Sequence, residues 1–161
     1  TPLADLPEIY LDAVVAVEDH RFEQHCGVDI IAIARAAWNN IKSWSLREGG
    51  STITQQLAKN LWFTPERSIL RKIKEAIMTW RLELALDKER ILELYLNVAE
   101  WGNGVYGAEA AARHYFGKSA ANLSRGEAAR LAVMLPSPLR RTPSSAIVKR
   151  LSSRLLKRMP R

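Results

Sequence analysis

The chain of 161 residues contains a single cysteine, Cys26, so it forms no internal disulfide bond, and its thiol says little about the cellular compartment. No run of apolar residues reaches the length of roughly 18 that crosses a bilayer, and no signal-peptide pattern precedes the first motif. Hydrophobic residues make up 47% and charged residues 25%, which is ordinary for a folded protein and excludes a disordered chain. We expect one domain spanning residues 1–161.

Acidic residues are absent after position 135, whereas eight lysines and arginines lie there. The first 135 residues hold the other 16 basic and all 17 acidic side chains, so the net charge of +7 belongs to the tail. Such a segment favours a phosphate-rich partner, either anionic lipid or nucleic acid. Aromatic residues are absent there too, and because stacking carries much single-stranded nucleic-acid binding, we expect no nucleic-acid partner. A solubilising terminal helix is the plain alternative.

Strand-like alternation is also missing, and the apolar spacing is helical nearly throughout. We therefore predict an all-α protein with at most one small extended element, and we read WGNGVYG (101–107) as a loop. Asp29, Thr52 with Gln55, and Ser124 with Glu127 are predicted N-terminal caps, and Gly117 is a predicted C-terminal cap. The predicted helices cover residues 29–44, 52–62, 65–84, 88–97, 108–116, 124–135 and 145–158.

Apolar residues at three- and four-residue steps mark the predicted core face of each helix. Three of these stripes are well defined and are expected to be buried. They comprise Ile30, Ile33, Ala34, Ala37, Trp38, Ile41 and Trp44 on the first helix, Ile69, Ile73, Ala76, Ile77, Trp80 and Leu84 on the third, and Ile147, Leu151 and Leu155 on the last.

Glu18 ends an apolar run, AVVAVE (13–18), where an ionised carboxylate is costly to bury without a partner or a task. Asp19 follows directly, and because neighbours on a helix point about 100° apart, the two carboxylates cannot both serve one reacting atom. We expect one of the two to act chemically and the other to support it. The alternative is that both are surface charges closing a helix. Phe22 and His25 follow in the same motif. The alternative for Phe22 is packing in the core, and the alternative for His25 is an imidazole whose hydrogen bonds are made with the backbone.

A second block, GGSTITQQLAKNL (49–61), combines hydroxyls, amides and a cation. It places Thr52, Gln55, Gln56 and Lys59 at and just after a helix N-terminus, a location that favours anions. Helix capping with a solvated face explains the hydroxyls, but it does not require two glutamines and a lysine.

A third block lies on the helix predicted to start at Pro65, where Arg67, Arg71 and Glu75 recur at four-residue steps on one face. Arginine matches phosphate oxygens bidentately, so this face suits a diphosphate. The alternative is an Arg71–Glu75 ion pair on a solvent-exposed helix face, which would contribute at most about 0.5 kcal/mol to stability. Lys72 lies off this face and would reach such a site only from its margin.

With these blocks in place, the chain resembles the bacterial peptidoglycan glycosyltransferases, the transglycosylase family shared with class A penicillin-binding proteins, over residues 8–143. No transpeptidase segment follows, so the chain is most similar to the monofunctional members. Five ordered motifs carry the resemblance: EDHRFEQHCGVD, GGSTITQQLAKNL, RKIKE, ILELYLNVAEWGNGVYGAEAAARHYFGK and LSRGEAARLAVMLPSP.

The resemblance implies an enzyme that polymerises lipid II into β-1,4-linked glycan strands, with inversion at the anomeric carbon and release of undecaprenyl pyrophosphate. Glu18 matches the general base that deprotonates the acceptor's 4-hydroxyl. Glu75 matches the second essential glutamate and is a candidate ligand for Mg²⁺ or Mn²⁺; no organic cofactor is expected. The substrate-binding positions implied in the same way are Asp19, Phe22, His25, Thr52, Gln55, Gln56, Lys59, Arg67, Arg71 and Lys72.

The implied fold is a lysozyme-like, α-helical globule with a small membrane-facing lobe. We expect residues 38–48 to form this mobile lobe, with Trp38 and Trp44 either at the headgroup level or in a core. We expect residues 144–161 to form a basic C-terminal helix that adds attraction to anionic lipid. The chain starts abruptly at Thr1 without methionine, so we expect an excised domain; we also expect the natural protein to carry an N-terminal membrane anchor.

The implied location is the bacterial cytoplasmic membrane, with the catalytic domain on its periplasmic or outer face. The implied partners are lipid II, the nascent glycan strand, the anionic membrane surface and proteins of cell-wall synthesis or division, in cell wall biogenesis and the maintenance of cell shape. The nearest alternative is a lysozyme-like peptidoglycan hydrolase or lytic transglycosylase that uses Glu18 as an acid. That alternative gives no reason for cations around Glu75, because a glycosidase protonates its leaving group whereas a diphosphate needs electrostatic stabilisation.

Overall fold

Helices form most of the structure, which is a computed structural model and describes residues 1–43, 49–64 and 68–159. The predicted all-α class is confirmed, with one two-stranded hairpin added. The α-helices are α1 (Glu8–Glu18), α2 (Ile30–Ser43), α3 (Ile53–Trp62), α4 (Ile69–Ala85), α5 (Lys88–Val98), α6 (Ala108–Phe116), α7 (Arg125–Met134) and α8 (Ala146–Arg158), and the strands are β1 (Glu100–Gly102) and β2 (Val105–Tyr106).

The chain divides into two compact units, with one boundary after His20 and the other inside α5, after Ile91. The first unit combines Thr1–His20 with Leu92–Arg161, and the second comprises Arg21–Ile91. The expectation of a single domain with a mobile lobe at 38–48 stays a prediction, and residues 44–48 of that lobe lie outside the described residues.

The first unit is built around α7, whose small and apolar side chains let α1 and α8 pack against it. Trp101 of β1 is fully buried beside this helix, and its indole Nε1 donates a hydrogen bond of 3.1 Å to the carbonyl oxygen of Leu131. The hydroxyl of Tyr115 on α6 donates to the Trp101 carbonyl at 2.9 Å. Gly107, with φ of +87°, joins β2 to α6 at a point where a Cβ would lie 2.8 Å from the Asn97 carbonyl oxygen, so only glycine fits.

The hairpin matches the one small extended element that the sequence allows, whereas the prediction that 101–107 is a plain loop is wrong. Its strands pair antiparallel through Glu100 with Tyr106 and Gly102 with Val105. The strands are too short to show alternation. The available signal was the Asn-Gly pair at the turn, because that dipeptide adopts the positive φ that tight hairpins need.

In the second unit, α3 packs against α4. The N-terminal caps fall where the sequence predicted them: Asp29 Oδ1 accepts from the Ala32 N–H, and Thr52 with Gln55 forms a capping box. The start of α4 differs from the prediction. This helix begins at Ile69 with Ser68 as its N-terminal cap, four residues after the predicted start at Pro65. Arg67 lies outside the described residues.

The predicted core face of α4 is wrong. Ile69 is 83% exposed, and Ile73, Ile77, Trp80 and Leu84 are exposed as well. The buried residues of this helix are Glu75, Thr79 and Leu82. Two of these buried polar groups have partners: Glu75 Oε1 accepts from Lys72 Nζ, and Thr79 Oγ1 donates to the Glu75 carbonyl oxygen at 2.7 Å.

The stripes predicted for α2 and α8 are corrected in the same way. Among the described apolar residues of α2, only the small Ala36 is buried, whereas most of the predicted stripe faces outward. On α8, Val148 and Ser152 are the buried residues, Leu151 and Leu155 are half-buried, and Ile147 is exposed. The buried seam of α8 is thus displaced by one residue, and the hydroxyl of Ser152 within it donates to the Lys149 carbonyl oxygen at 3.1 Å. Within the described ranges, no helix is both long and apolar enough to cross a membrane.

Candidate active site

Glu18 is the last residue of α1 and extends the buried face of that helix. Tyr10 and Val14, which are both buried, precede it at four-residue steps, so the same face that packs in the core presents a carboxylate at its end. The residue is half-buried, and its Oε1 atom is shielded from solvent. Asp19 is buried and caps the helix through its backbone N–H, which donates to the Val15 carbonyl at 2.9 Å.

Tyr95 of α5 is a neighbour of Glu18 that the sequence reasoning missed. Burial raises the pKa of the Tyr95 phenol well above its usual range, and the negative charge of Glu18 and the presence of Tyr10 raise it further. Burial also raises the pKa of Tyr10, whose hydroxyl has no hydrogen-bond partner among the described residues. A signal was available, because Tyr95 is a polar-tipped residue on the α5 face that also carries Ile91 and Leu96, but no role was assigned to it.

The Phe22–His25 segment opens the second unit. Phe22 is buried in a short 3₁₀ turn, and its ring lies 6.4 Å from the His25 ring in an edge-on arrangement. His25 Nδ1 accepts a hydrogen bond of 3.2 Å from the Gly27 N–H, so this nitrogen is engaged by the backbone. Arg21 pairs with Asp29 at 3.3 Å. The hydrogen bond from the Ala32 N–H, more than this charge, lowers the pKa of the Asp29 carboxyl.

Thr52 and Gln55 are both buried and fix the start of α3. Gln55 Oε1 accepts from the Thr52 N–H at 3.1 Å, and Thr52 Oγ1 accepts from the Gln55 N–H at 3.2 Å. The Thr52 hydroxyl also donates to the Gly27 carbonyl at 2.5 Å, which ties this cap to the first motif. Gln56 is half-buried, and Lys59 is exposed one turn further along.

A groove of about 510 Å³ lies beside this cap. Apolar side chains of α2 form most of its lining, and Gln55 and Lys72 contribute the larger polar side chains. Its full lining is Ile33, Ala36, Ala37, Asn40, Ile41, Gly50, Ser51, Gln55 and Lys72. A groove with a mostly apolar lining and one lysine suits an amphiphilic ligand with an anionic headgroup.

Glu75 pairs with Lys72, not with Arg71 as the ion-pair alternative predicted. Lys72 Nζ donates to Glu75 Oε1 at 2.5 Å, and the Glu75 side chain is only 3% exposed. Arg71 instead reaches back to the Thr64 carbonyl, which accepts from its Nη1 at 3.1 Å. Glu75 therefore does not lie on a wet helix face, and Lys72, placed at the margin by sequence, is its direct partner.

The second oxygen of Glu75, Oε2, is buried and has no hydrogen-bond partner in the described part of the chain. Among these residues Oε2 is therefore left as an acceptor that could bind a cation or a donor group. The described residues place no cluster of three ligating His, Cys, Asp or Glu side chains around Glu75, whereas a divalent cation usually takes several oxygen ligands. The predicted roles of the individual site residues stay predictions.

Comparison with known proteins defines the class. The family model described as transglycosylase matches residues 1–160, and the chain belongs to this family. The predicted family membership is therefore confirmed.

Curated relatives carry the same name. The chain is 59% identical over 126 residues to a protein called biosynthetic peptidoglycan transglycosylase from Thiobacillus denitrificans, covering 78% of this chain and 54% of the relative. It is 51% identical over 150 residues to a protein of that name from Dechloromonas aromatica, covering 92% of this chain and 65% of the relative. The chain thus spans about half the length of most of the curated relatives it matches.

Proposed function

We propose that the chain is the catalytic portion of a monofunctional peptidoglycan glycosyltransferase that polymerises lipid II. The observation that carries this proposal is the family match over residues 1–160, joined to relatives whose names state a biosynthetic reaction. The groove beside Lys72 supports it, because apolar walls and an ammonium group suit a polyprenyl diphosphate. The hydrolase alternative is not favoured, since the relatives' names state synthesis.

In the proposed reaction, the Glu18 carboxylate accepts the proton of the 4-hydroxyl on the acceptor's N-acetylglucosamine. The freed oxygen attacks the anomeric carbon of the donor, and the bond from that carbon to the diphosphate oxygen breaks with inversion. A hydroxyl has a pKa far above 7, so the base acts as charge develops in the transition state. A carboxylate held at the end of a packed helix face meets this need because its position is fixed before substrate arrives.

The leaving diphosphate needs positive charge instead of an acid. We assign this role to Lys72 and Arg71, with Lys59 and Arg67 as further cations. Glu75 keeps the Lys72 ammonium in place through the 2.5 Å contact. In this assignment Thr52 and Gln55 shape the groove wall through their mutual capping bonds, while Gln56 contributes its amide to the substrate.

A divalent cation, Mg²⁺ or Mn²⁺, fits Glu75 only together with substrate. Oε2 offers one ligand, and Mg²⁺ is commonly held by one or two carboxylates plus phosphate oxygens. When bound, the ion would neutralise charge on the departing diphosphate. Lys72, already paired with the other oxygen of Glu75, supplies positive charge without it.

We propose that the exposed apolar surface of the second unit contacts the membrane that carries the lipid substrate. Large exposed apolar side chains mark interaction sites, and an apolar helix face suits the headgroup boundary. This surface comprises Ile30, Ile31, Ile33, Trp38, Ile41, Leu61, Trp62, Ile69, Leu70, Ile73, Ile77, Trp80 and Leu84. In this proposal the membrane-facing surface is broader than the predicted 38–48 lobe.

Helix α8 offers a second membrane contact in the first unit. Its inner face, Val148 and Ser152, packs in the protein, whereas its five cations are exposed. We propose that they bind anionic headgroups, each contributing about 1 kcal/mol near the surface. This contact would fit the predicted location of the domain at the outer face of the cytoplasmic membrane. The cations are Lys149, Arg150, Arg154, Lys157 and Arg158.

The test is polymerisation of labelled lipid II, with finished peptidoglycan as a separate substrate. Glu18→Gln should abolish chain growth, because an amide accepts no proton, while the melting temperature and lipid II binding stay nearly unchanged. Glu8→Gln on the same helix, which alters an exposed glutamate, is the matched control and should remain active. Shortening of finished glycan without growth from lipid II would reject the proposal in favour of the hydrolase.

A further inference from the structure

Lys88 stands at a position that its own helix disfavours. It is the first residue of α5, and a positive charge at a helix N-terminus opposes the helix dipole. The helix start does not depend on it, because Asp87 Oδ1 accepts from the Arg90 N–H at 2.7 Å and caps this end. The Lys88 side chain is nevertheless only 19% exposed. A cation at the unfavourable helix end, mostly withdrawn from water, points to partners elsewhere.

Those partners lie in the first motif and on α4. Lys88 Nζ donates to the His25 carbonyl oxygen at 2.7 Å and to Glu83 Oε1 at 2.9 Å. The same ammonium lies 4.6 Å from the centroid of the Phe22 ring, which is within cation–π range. One side chain thus holds both the backbone and the aromatic ring of the Phe22–His25 segment.

Glu83 anchors the lysine to the rest of the second unit. Its side chain is 8% exposed, and its Oε1 accepts a hydrogen bond of 2.5 Å from Thr54 Oγ1 on α3. Thr54 is itself fully buried. Because Glu83 bonds to both Thr54 and Lys88, the Lys88 ammonium is fixed relative to α3 and α4. Its contacts therefore hold Phe22 and His25 in a fixed position relative to the same two helices.

The Phe22–His25 segment has little regular structure of its own. It contains one 3₁₀ turn, closed by a hydrogen bond from the Gln24 N–H to the Arg21 carbonyl at 2.7 Å. Its position therefore depends on bonds from other elements, of which Lys88 supplies the one to His25 and the Thr52 hydroxyl supplies the one to the following Gly27.

We propose that Lys88, held by Glu83, is a positioning residue for glycan transfer: its ammonium fixes the Phe22–His25 segment in the geometry that the reaction needs. This inference rests on the proposed function for its catalytic readout. It assigns a role outside the four cations and two glutamates already proposed for the site.

The first experiment compares Lys88→Met with wild type in steady-state lipid II polymerisation. Methionine keeps a similar length but removes the charge and the donors. We expect kcat to fall about 10- to 100-fold, because a small displacement of a positioned segment has effects of this size. We expect KM to rise by a smaller factor than kcat falls, because the lysine itself touches no substrate, whereas Phe22 and His25 are predicted substrate-binding residues. Lys118→Met, which breaks the ion pair with Glu127 in the first unit, is the matched control and should leave both constants unchanged.

The second experiment restores the ammonium chemically. Lys88→Cys is made together with Cys26→Ser, because Cys26 is an exposed free thiol that would react as well. Alkylation with 2-bromoethylamine converts the new cysteine to a lysine analogue, and iodoacetamide gives a neutral adduct. Recovery of kcat with the first reagent and not with the second supports the proposal, also where the unmodified variant folds poorly. Equal kcat with both reagents overturns it.

Hydrogen exchange separates this inference from the proposed function. In Lys88→Met, the amides of residues 22–27 should exchange faster, while those of α7 stay protected. Unchanged exchange in this segment overturns the inference whether or not the protein polymerises lipid II. If wild type forms no glycan, the proposed function fails, and the exchange comparison still decides whether Lys88 holds the segment.

Discussion

The Lys72–Glu75 pair is asymmetric, and this asymmetry predicts which partner is costlier to remove. The Lys72 side chain is 52% exposed and the Glu75 side chain 3%. In Lys72→Met, a buried carboxylate loses its partner, and such a loss costs about 3–5 kcal/mol when both groups are buried. Because water reaches the lysine side of this pair, we expect about 2 kcal/mol for this variant. In Glu75→Gln, the ammonium turns to solvent and the amide keeps the volume, so we expect about 1 kcal/mol.

Urea unfolding followed by circular dichroism measures both free energies. The double variant Lys72→Met/Glu75→Gln should be no less stable than Lys72→Met alone, since it no longer buries a charge. Lys74→Met is the control on the same helix, because Lys74 is exposed, and it should change stability by less than about 0.5 kcal/mol. The reasoning is refuted if Glu75→Gln proves costlier than Lys72→Met, or if the double variant shows the sum of the two losses.

Three further predictions follow from local geometry. Gly27→Ala should destabilise the protein by about 2–4 kcal/mol in urea unfolding, because φ is +86° and the new Cβ would lie 2.7 Å from Thr79 Cγ2; adding Thr79→Ser should recover part of the loss, and no recovery would contradict the clash. The Glu109 carboxylate accepts a hydrogen bond from the Ala120 N–H, and this bond lowers the pKa of Glu109 although burial opposes the shift. The free energy of unfolding of wild type should therefore exceed that of Glu109→Gln by its full amount above about pH 5, and the difference should disappear as pH falls through the lowered pKa. A difference that persists at pH 2 would contradict this prediction. Replacing the five exposed α8 cations with glutamine should weaken binding to phosphatidylglycerol vesicles at least about tenfold at low salt and leave phosphatidylcholine vesicles unaffected; equal binding to anionic vesicles would reject the α8 contact.

Local features of this fold could be predicted from sequence because the residues that decide them are neighbours in the chain. The capping boxes at Thr52 and Ser124 and the left-handed Gly117 are in the structure as predicted. Each of these features depends on a bond between residues three or four positions apart. The start of α4 differs from the prediction because two residues favour a helix start in this stretch, Pro65 at a first helical position and Ser68 as a cap. In the structure the cap is Ser68, whose hydroxyl oxygen accepts from the Arg71 N–H.

The candidate site was predictable as a set of residues and not as a set of contacts. Sequence spacing suggested Arg71 as the partner of Glu75, whereas the structure pairs Glu75 with Lys72. Both spacings bring side chains together on a helix, so spacing cannot choose between them. The choice is made by the Thr64 carbonyl, which engages Arg71 and leaves the ammonium of Lys72 to the carboxylate. A backbone acceptor before the helix is invisible to pattern reasoning.

The inverted burial of α4 is the sharpest disagreement between pattern and structure, and it bears on function. A water-soluble helix buries its apolar stripe, yet α4 exposes Ile69 and Trp80 and buries Glu75 and Thr79. The buried side is held by specific polar bonds, from Lys72 to Glu75 and from Thr79 Oγ1 to the Glu75 carbonyl at 2.7 Å. Departures from the usual pattern of burial concentrate at functional sites, where function requires side chains that stability alone would not favour. For α4, one arrangement would serve both proposed tasks, because the face that carries Glu75 turns inward and the apolar face stays exposed for the proposed contact with lipid.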